Sequence, residues 1–136
     1  MLTKPVLGEE IQTTSVVITS EHIEAFKKAT RTGHTVGMPV SYATIYRDTE
    51  FQWLDRVGVD LRKLLHAEQE YEYLSPLKAG DKPDVITRVK EWRERRDMVF
   101  VTLETDIRVG TDVKVRTLST FVVRGQSTGN PAEAKV

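Results

Sequence analysis

The sequence predicts an α+β domain in which an antiparallel sheet of about five strands wraps one long helix. Two observations carry this. Apolar residues recur at helical spacing in the first half of the chain and at alternating positions in the second, with turn signals between the alternating runs. The chain has 136 residues, the size of one domain and enough to close a core without disulfides or metal.

Between Gly8 and Ser20, the run Ser15 to Thr19 is rich in β-branched residues and reads as a strand or extended lead-in. Ser20 is expected to cap a short amphipathic helix, with Glu21 in its first turn and Ile23 and Phe26 on its apolar side, ending before Gly33. Arg31 to Pro39 then forms a loop. From Ser41, the residues Tyr42, Ile45, Tyr46, Trp53, Leu54 and Val57 recur at helical spacing as far as Gly58, which predicts the longest and most apolar helix.

After Leu64 the pattern becomes that of strands. Leu65 to Leu74 places Tyr71 and Tyr73 on one face and is closed by Ser75-Pro76, and Lys78 to Asp81 is a turn. Asp84 to Trp92 aligns Val85, Thr87 and Val89. Met98 to Ile107 aligns Val99, Val101, Leu103, Thr105 and Ile107, and Val113 to Arg124 aligns Val113, Val115, Thr117, Ser119, Phe121 and Val123. These four runs are expected to form an antiparallel meander covered by the long helix. The domain then spans residues 1–125, and the small, polar residues 126–136 read as a disordered tail.

Composition removes several function classes. Lys+Arg and Asp+Glu number 20 each, so no net field draws in nucleic acid or an anionic membrane. The lack of cysteine excludes disulfides, thiolate metal sites and cysteine nucleophiles. No apolar run approaches the ~20 residues of a membrane span. Met1 to Glu10 lacks the apolar core of a signal peptide, so a cytoplasmic setting is expected.

Leu65 to Asp81 (LHAEQEYEYLSPLKAGD) places an aromatic, a proline and a Gly-Asp turn at Tyr73, Pro76 and Gly80-Asp81, ahead of long strands that close at Phe121 to Gly125. This order resembles the MaoC-like hot-dog dehydratases. It is most similar to their N-terminal, FAS1-like dehydratase domain, which also forms the substrate-binding subunit of mycobacterial-type 3-hydroxyacyl-ACP dehydratases. The resemblance runs from about Gly8 to Gly125. It implies a hot-dog fold, an acyl thioester of CoA or a carrier protein as ligand, and pairing with a second hot-dog, as a homodimer or as a heterodimer with a catalytic subunit.

Hydratases of that family carry an Asp and a His in a Gly-Asp-x-Asn-Pro-x-His loop ahead of the central helix, for proton removal and return. The matching stretch here, Ala29 to Pro39 (ATRTGHTVGMP), is shorter and has neither the Asp nor the Asn-Pro, which leaves His34 as its sole acid–base candidate. The resemblance therefore implies the acyl-binding, non-catalytic or degenerate subunit of a 3-hydroxyacyl-thioester dehydratase or enoyl hydratase. Two alternatives stand beside it: a non-enzymatic acyl-CoA-binding or interaction homodimer, and an acyl-CoA thioesterase using Asp48 or Glu50.

Other candidate residues have two readings each. His66 either caps a carbonyl or lines the thioester channel. Tyr42, Tyr46, Phe51 and Trp53 form the wall of an acyl tunnel or plain core. Arg93, Arg95 and Arg96, within Lys90 to Asp97, hold a CoA or pantetheine phosphate or merely solvate a hairpin. His22 is expected to be solvated. Histidines at 22, 34 and 66 lack metal-ligand spacing, so neither a metal nor a cofactor is expected. Gly33-x-x-x-Gly37 lacks the Lys-Ser/Thr of a phosphate loop, and no serine triad is apparent.

Overall fold

Alternating β-branched residues fix the core face of the sheet in a computed structural model that describes residues 2–15, 17–31 and 40–126. Its strands are β1 (Glu10–Thr14), β2 (Leu64–Tyr73), β3 (Asp84–Arg95), β4 (Met98–Val109) and β5 (Asp112–Arg124). Their neighbours in space run β1-β3-β4-β5-β2, all pairs antiparallel. Helix α1 (Ser20–Thr30) precedes a 3-10 helix, Val40–Arg47, that runs directly into α2 (Asp48–Arg56). This is the expected α+β hot-dog plan, a helical layer against one curved antiparallel sheet.

The inward faces follow the alternation read from the sequence. On β4, Val99, Val101, Leu103, Thr105 and Ile107 are buried; on β5, Val115, Thr117, Ser119, Phe121 and Val123 are. On β3 the alternation breaks once. Val85, Thr87 and Val89 face inward, the register slips at Lys90, and Trp92 is the next inward residue. The bulge keeps Glu91 on the solvent side, where an unbroken period of two would have driven its carboxylate into the core.

Three expectations are corrected. The first is the four-strand meander: β3, β4 and β5 form one, but β2 pairs with β5 and lies at an edge. Residues 74–83, stiffened by Pro76 and Pro83, are too long for a hairpin turn and carry the chain across the sheet to β3. The second is the place of the first strand, which lies at Glu10–Thr14; of the strand and lead-in readings of Ser15 to Thr19, the lead-in holds for the described residues 15 and 17–19. The later segment is an extended lead-in whose backbone is taken up by the turn before β3: Ser15 N donates to Pro83 O (2.8 Å), Ile18 N to Asp81 O (2.7 Å), and Gly80 N to Ile18 O (2.7 Å). The cap of α1 is accordingly Thr19, not Ser20, its hydroxyl accepting from His22 N at 3.1 Å.

The third correction concerns the long helix. The segment predicted as one helix from Ser41 is a 3-10 helix as far as Arg47, and α2 has only nine residues against eleven in α1. Thr44 and Ile45 are β-branched and favour helix weakly, and Arg47 at the junction supplies no side-chain cap. The inward stripe nevertheless continues through the junction as Tyr42, Ala43, Tyr46, Thr49, Glu50, Trp53, Leu54 and Val57.

That stripe divides the core in two. Trp53, Leu54 and Val57 pack with Val89, Trp92, Val99, Val101, Leu103, Phe121 and Val123, while Tyr42, Ala43 and Tyr46 pack with Ile18, Ile23, Leu77, Val85, Ile107 and Val115. Between the two clusters runs a polar row. Thr87, Thr105, Thr117 and Tyr71 are paired in register across β3, β4, β5 and β2. The outer face carries alternating charge: Glu10 and Glu104 meet Arg88 (3.1 and 2.7 Å), and Asp106 meets Arg88 and Arg116 (3.0 and 2.7 Å).

The turn expected at Lys78 to Asp81 is present: Lys78 N donates to Asp81 Oδ2 (3.0 Å) and Asp81 N to Lys78 O (3.1 Å). Gly80 has φ +97°, and a Cβ there would meet nothing within 4 Å, so a side chain at this position costs backbone strain rather than a clash. Gly80→Val should lose about 1–3 kcal/mol in urea unfolding. Lys78→Ala, at an exposed position, should lose under ~0.5 kcal/mol. Equal midpoints for the two variants would show that the left-handed glycine is not what holds this turn.

Candidate functional site

The stripe that crosses the sheet carries a carboxylate into its middle. Glu50 is 0% exposed. Its Oε2 accepts from Thr105 Oγ1 at 2.9 Å, and Thr105 Oγ1 lies 2.8 Å from Thr87 Oγ1. Its Oε1 faces Arg47 Nε at 3.6 Å, one turn earlier. Burial pushes the Glu50 carboxyl above the usual carboxylate range, while hydrogen bonding from Thr105 and the charge of Arg47 pull it down.

From Glu50 the polar row leads to the β2 edge. Ser119 Oγ donates to Gln69 Oε1 (2.8 Å), and His66 Nε2 lies 3.0 Å from that oxygen and 3.1 Å from Glu68 O. The His66 ring stacks on Phe121 with centroids 5.1 Å apart, and the Arg47 guanidinium lies over Phe51 and Phe121 at 5.5 and 5.9 Å. A bulge at Ala67 makes this possible, because the register passes from His66 opposite Phe121 to Glu68 opposite Thr120. His66, Gln69 and Tyr71 thereby share the inward face. Arg47 Nε, Glu50 Oε1, Gln69 Nε2 and Thr117 Oγ1 are buried without a hydrogen-bond partner, so the row is under-satisfied.

Beside this row opens an apolar cleft of about 380 Å³, lined by Val17, Ile18, His22, Phe26, Tyr42, Ile45 and Tyr46, among others. Tyr42 meets Phe26 and Tyr46 edge to face, at 5.2 and 6.2 Å. Burial raises the pKa of both tyrosines, and for Tyr46 the neighbouring Tyr42 and Asp81 raise it further. Both remain neutral phenols across the physiological range.

The structure sorts the candidate residues. Tyr42 and Tyr46 line the cleft; Trp53, 1% exposed, lies in the other cluster against Trp92, and Phe51 packs on Phe121. His66 stands at the β2 edge. Arg93, Arg95 and Arg96 are exposed at the β3–β4 hairpin, with Arg93 held by Glu91 (2.8 Å) and over the Phe100 ring (5.3 Å). The cleft packs against the Val85 end of β3, and the length of that strand puts Arg93 and Arg95 roughly 25–30 Å away along its axis. The arginines and the cleft are therefore not one site on this chain. Asp48 is exposed, Glu50 is sealed, and neither lines the cleft. His34 lies outside the described residues. The sequence reading left two participants aside. His22 lines the cleft, where an extended lead-in folding back beside its helix was the available signal. Gln69 joins the row only because of a bulge that alternation does not reveal.

The family model for the FAS1-like dehydratase domain region matches residues 5–118. The chain belongs to this family. As a FAS1-like dehydratase domain it is a MaoC-like hot-dog, and solved structures share the fold. HtdX of Mycobacterium tuberculosis superposes with a TM-score of 0.70 at 22% identity, over 85% of this chain and 51% of HtdX, so the chain spans about half the length of that protein. The HadBC 3R-hydroxyacyl-ACP dehydratase complex of the same organism gives 0.71 at 15% identity, over 89% of this chain and 99% of the matched chain. A MaoC-like dehydratase from Rhodospirillum rubrum gives 0.64 at 19% identity, over 90% and 95%. No curated protein sequence matches significantly.

The raised carboxyl of Glu50 yields a pH test. Its contribution to stability is fully present below the ordinary glutamate pKa, where both folded and unfolded states are protonated, and is lost as pH rises toward the folded pKa. The melting temperature of Glu50→Gln minus that of the wild type should therefore increase between about pH 4 and pH 8. A difference that shrinks with pH would mean that Glu50 is ionised and held by Arg47.

Proposed function

We propose that this FAS1-like domain is the acyl-thioester-binding subunit of a dehydratase or enoyl hydratase, working with a second hot-dog that supplies the Asp and His. The observation that carries the reading is the apolar cleft beside a buried polar row in which no acid–base pair stands. Among the described residues, His66 faces Gln69, a backbone carbonyl and Arg47, none of which can share a proton as an aspartate does. A cleft of about 380 Å³ is within the range of small-ligand sites, and its aromatic and aliphatic lining suits an acyl chain rather than a polar head.

Pairing is supported by the β2 edge. β2 has β5 on one side and no described strand on the other, and Leu65, Tyr73 and Leu74 are exposed along it. HadBC is a complex, and this chain covers 51% of HtdX, as one unit of a two-unit protein would. A partner reaching over β2 also accounts for the arginines, since a hairpin remote from its own cleft can serve the phosphate end of a ligand held by the other subunit. The thioesterase reading loses ground because Glu50 is sealed from any substrate.

Binding is measured by thermal shift. Acyl-CoAs should raise the melting temperature of the wild type by mass action. Ile45→Asp, at a cleft position 41% exposed, should fold normally and abolish the shift. A shift retained in that variant would move the acyl site elsewhere.

Catalysis is measured on an enoyl thioester. General acid and base groups each contribute about 10²- to 10⁴-fold. The isolated chain should hydrate crotonyl-CoA at least roughly a hundredfold more slowly than a hot-dog with an intact Asp/His loop. Addition of a complementary catalytic subunit should restore the rate, and His34→Ala should leave the restored rate within about threefold. Robust hydration by the chain alone would place a working acid–base pair within it.

A further inference from the structure

We propose that the β2 edge is coded by charge for an unlike partner: a hot-dog chain whose own edge strand presents Lys or Arg at alternating positions on its outer face. This rests on the reading that β2 is the pairing edge, and it deepens that reading by naming what the partner edge carries.

Beyond the Ala67 bulge, Glu68, Glu70 and Glu72 lie opposite Thr120, Leu118 and Arg116 of β5. The odd-numbered residues of β5 from Val115 to Val123 are buried, so these even-numbered partners, and with them the three glutamates, stand on the outer face. All three are exposed. β2 carries no Lys or Arg, and only Glu72 has a cation across from it. The edge therefore offers three carboxylates in a row on a side where no described strand pairs with β2, with Leu65, Tyr73 and Leu74 exposed along it.

Symmetry makes this a constraint on the partner. If β2 met its own copy in antiparallel fashion, opposed residues would have numbers adding to a constant. A continuous sheet with both helical layers on one side needs an even constant, because directly opposed side chains share a face. Every even register centred within the glutamate run, with sums from 136 to 144, places glutamate across from glutamate: with a sum of 140, for instance, Glu68 opposes Glu72 and Glu70 opposes itself. An odd register turns the partner's helices to the opposite side of the sheet. Like charges directly opposed destabilise a ladder, and opposite charges support it. A strand with lysines or arginines in those places is thus favoured over the same chain, and the backbone ladder itself is indifferent between the two.

The absence of any requirement for the natural partner makes the test direct. Glu68→Lys/Glu70→Lys leaves Glu72 opposite Arg116 and serves as the complementary edge. Sedimentation velocity on wild type, variant and their equimolar mixture, at about 50 mM and about 500 mM salt, reads the preference, because exposed charges are screened beyond a few ångströms at the higher salt. The mixed pair should form on the order of tenfold more tightly than the wild-type pair at low salt, and the gap should narrow at high salt. Amide exchange should slow across residues 64–73 in the mixed species. Equal affinities for mixed and wild-type pairs, with β2 protected in both, would overturn the charge code and leave the pairing edge intact. Association that leaves β2 unprotected would overturn the edge reading and this inference with it. If the variant does not fold, the wild type alone still decides: its self-association must strengthen from low to high salt, and a salt-independent dimer would sink the proposal.

Discussion

The seating of the Glu50 carboxyl against Thr105 and Arg47 fixes how the helical layer sits on the sheet. A carboxyl wholly removed from water is tolerated only if protonated or closely paired and hydrogen-bonded, so α2 cannot rotate or slide without stranding it. One helical turn before Glu50 the stripe offers Tyr46, and a further turn back Tyr42; one turn after, it offers Trp53 and Leu54. The carboxyl therefore acts as a register pin, with the cleft on one side and the closed apolar cluster on the other. Apolar contacts supply most of the free energy but are non-directional, and a buried polar row is what can make one seating preferred over its neighbours.

The sheet solves a second register problem with single-residue bulges. On β3 the extra residue at Lys90 lets a strand with an outward Glu91 still deliver Trp92 to the core, where its ring meets Trp53 edge to face at 6.3 Å. On β2 the extra residue at Ala67 lets His66 stack on Phe121 while Gln69 and Tyr71 reach the polar row. In both places the chain changes which parity faces inward. The same device on β2 puts three glutamates outward together.

What the sequence shows depends on the range of the interaction. Inward faces of β4 and β5 were legible from alternation because each residue's burial follows from its own strand. The place of β2 was not, since consecutive strands with turn signals between them read as neighbours, and only the contents of residues 74–83 argue otherwise. The strand at Glu10–Thr14 was hidden by its polar composition, EIQTT, which holds its place by pairing with β3 and by Thr13 lying 3.3 Å from Thr49. Glu50 fell at the right spacing between Tyr46 and Trp53 and was read only as a carboxylate that could face a thioester, because its burial becomes visible only when the sheet of hydroxyls is seen beneath it. Arg93, Arg95 and Arg96 were visible as a cluster, and their distance from the cleft was not, because direction along a strand becomes distance only once the helical layer is seated.

A chain of this design suits division of labour in catalysis. Holding an acyl group in place and moving its protons are separable tasks, and orientation of the bound thioester lowers the barrier even when the proton-transfer groups belong to another chain. The demands on the two halves also differ. The acyl site of the proposed function would need an apolar wall, which Tyr42, Tyr46, Phe26 and Ile45 provide, while an acid–base pair needs partial hydration and matched proton affinities. Here Glu50, the carboxyl beneath the helical layer, is committed to the seating of the helix, where exposure to substrate would loosen the register it maintains. With that group occupied structurally, the proton chemistry of the proposed function would enter from outside the described residues, and the β2 edge, where the polar row comes to the surface at His66, is the side on which no described strand stands in its way.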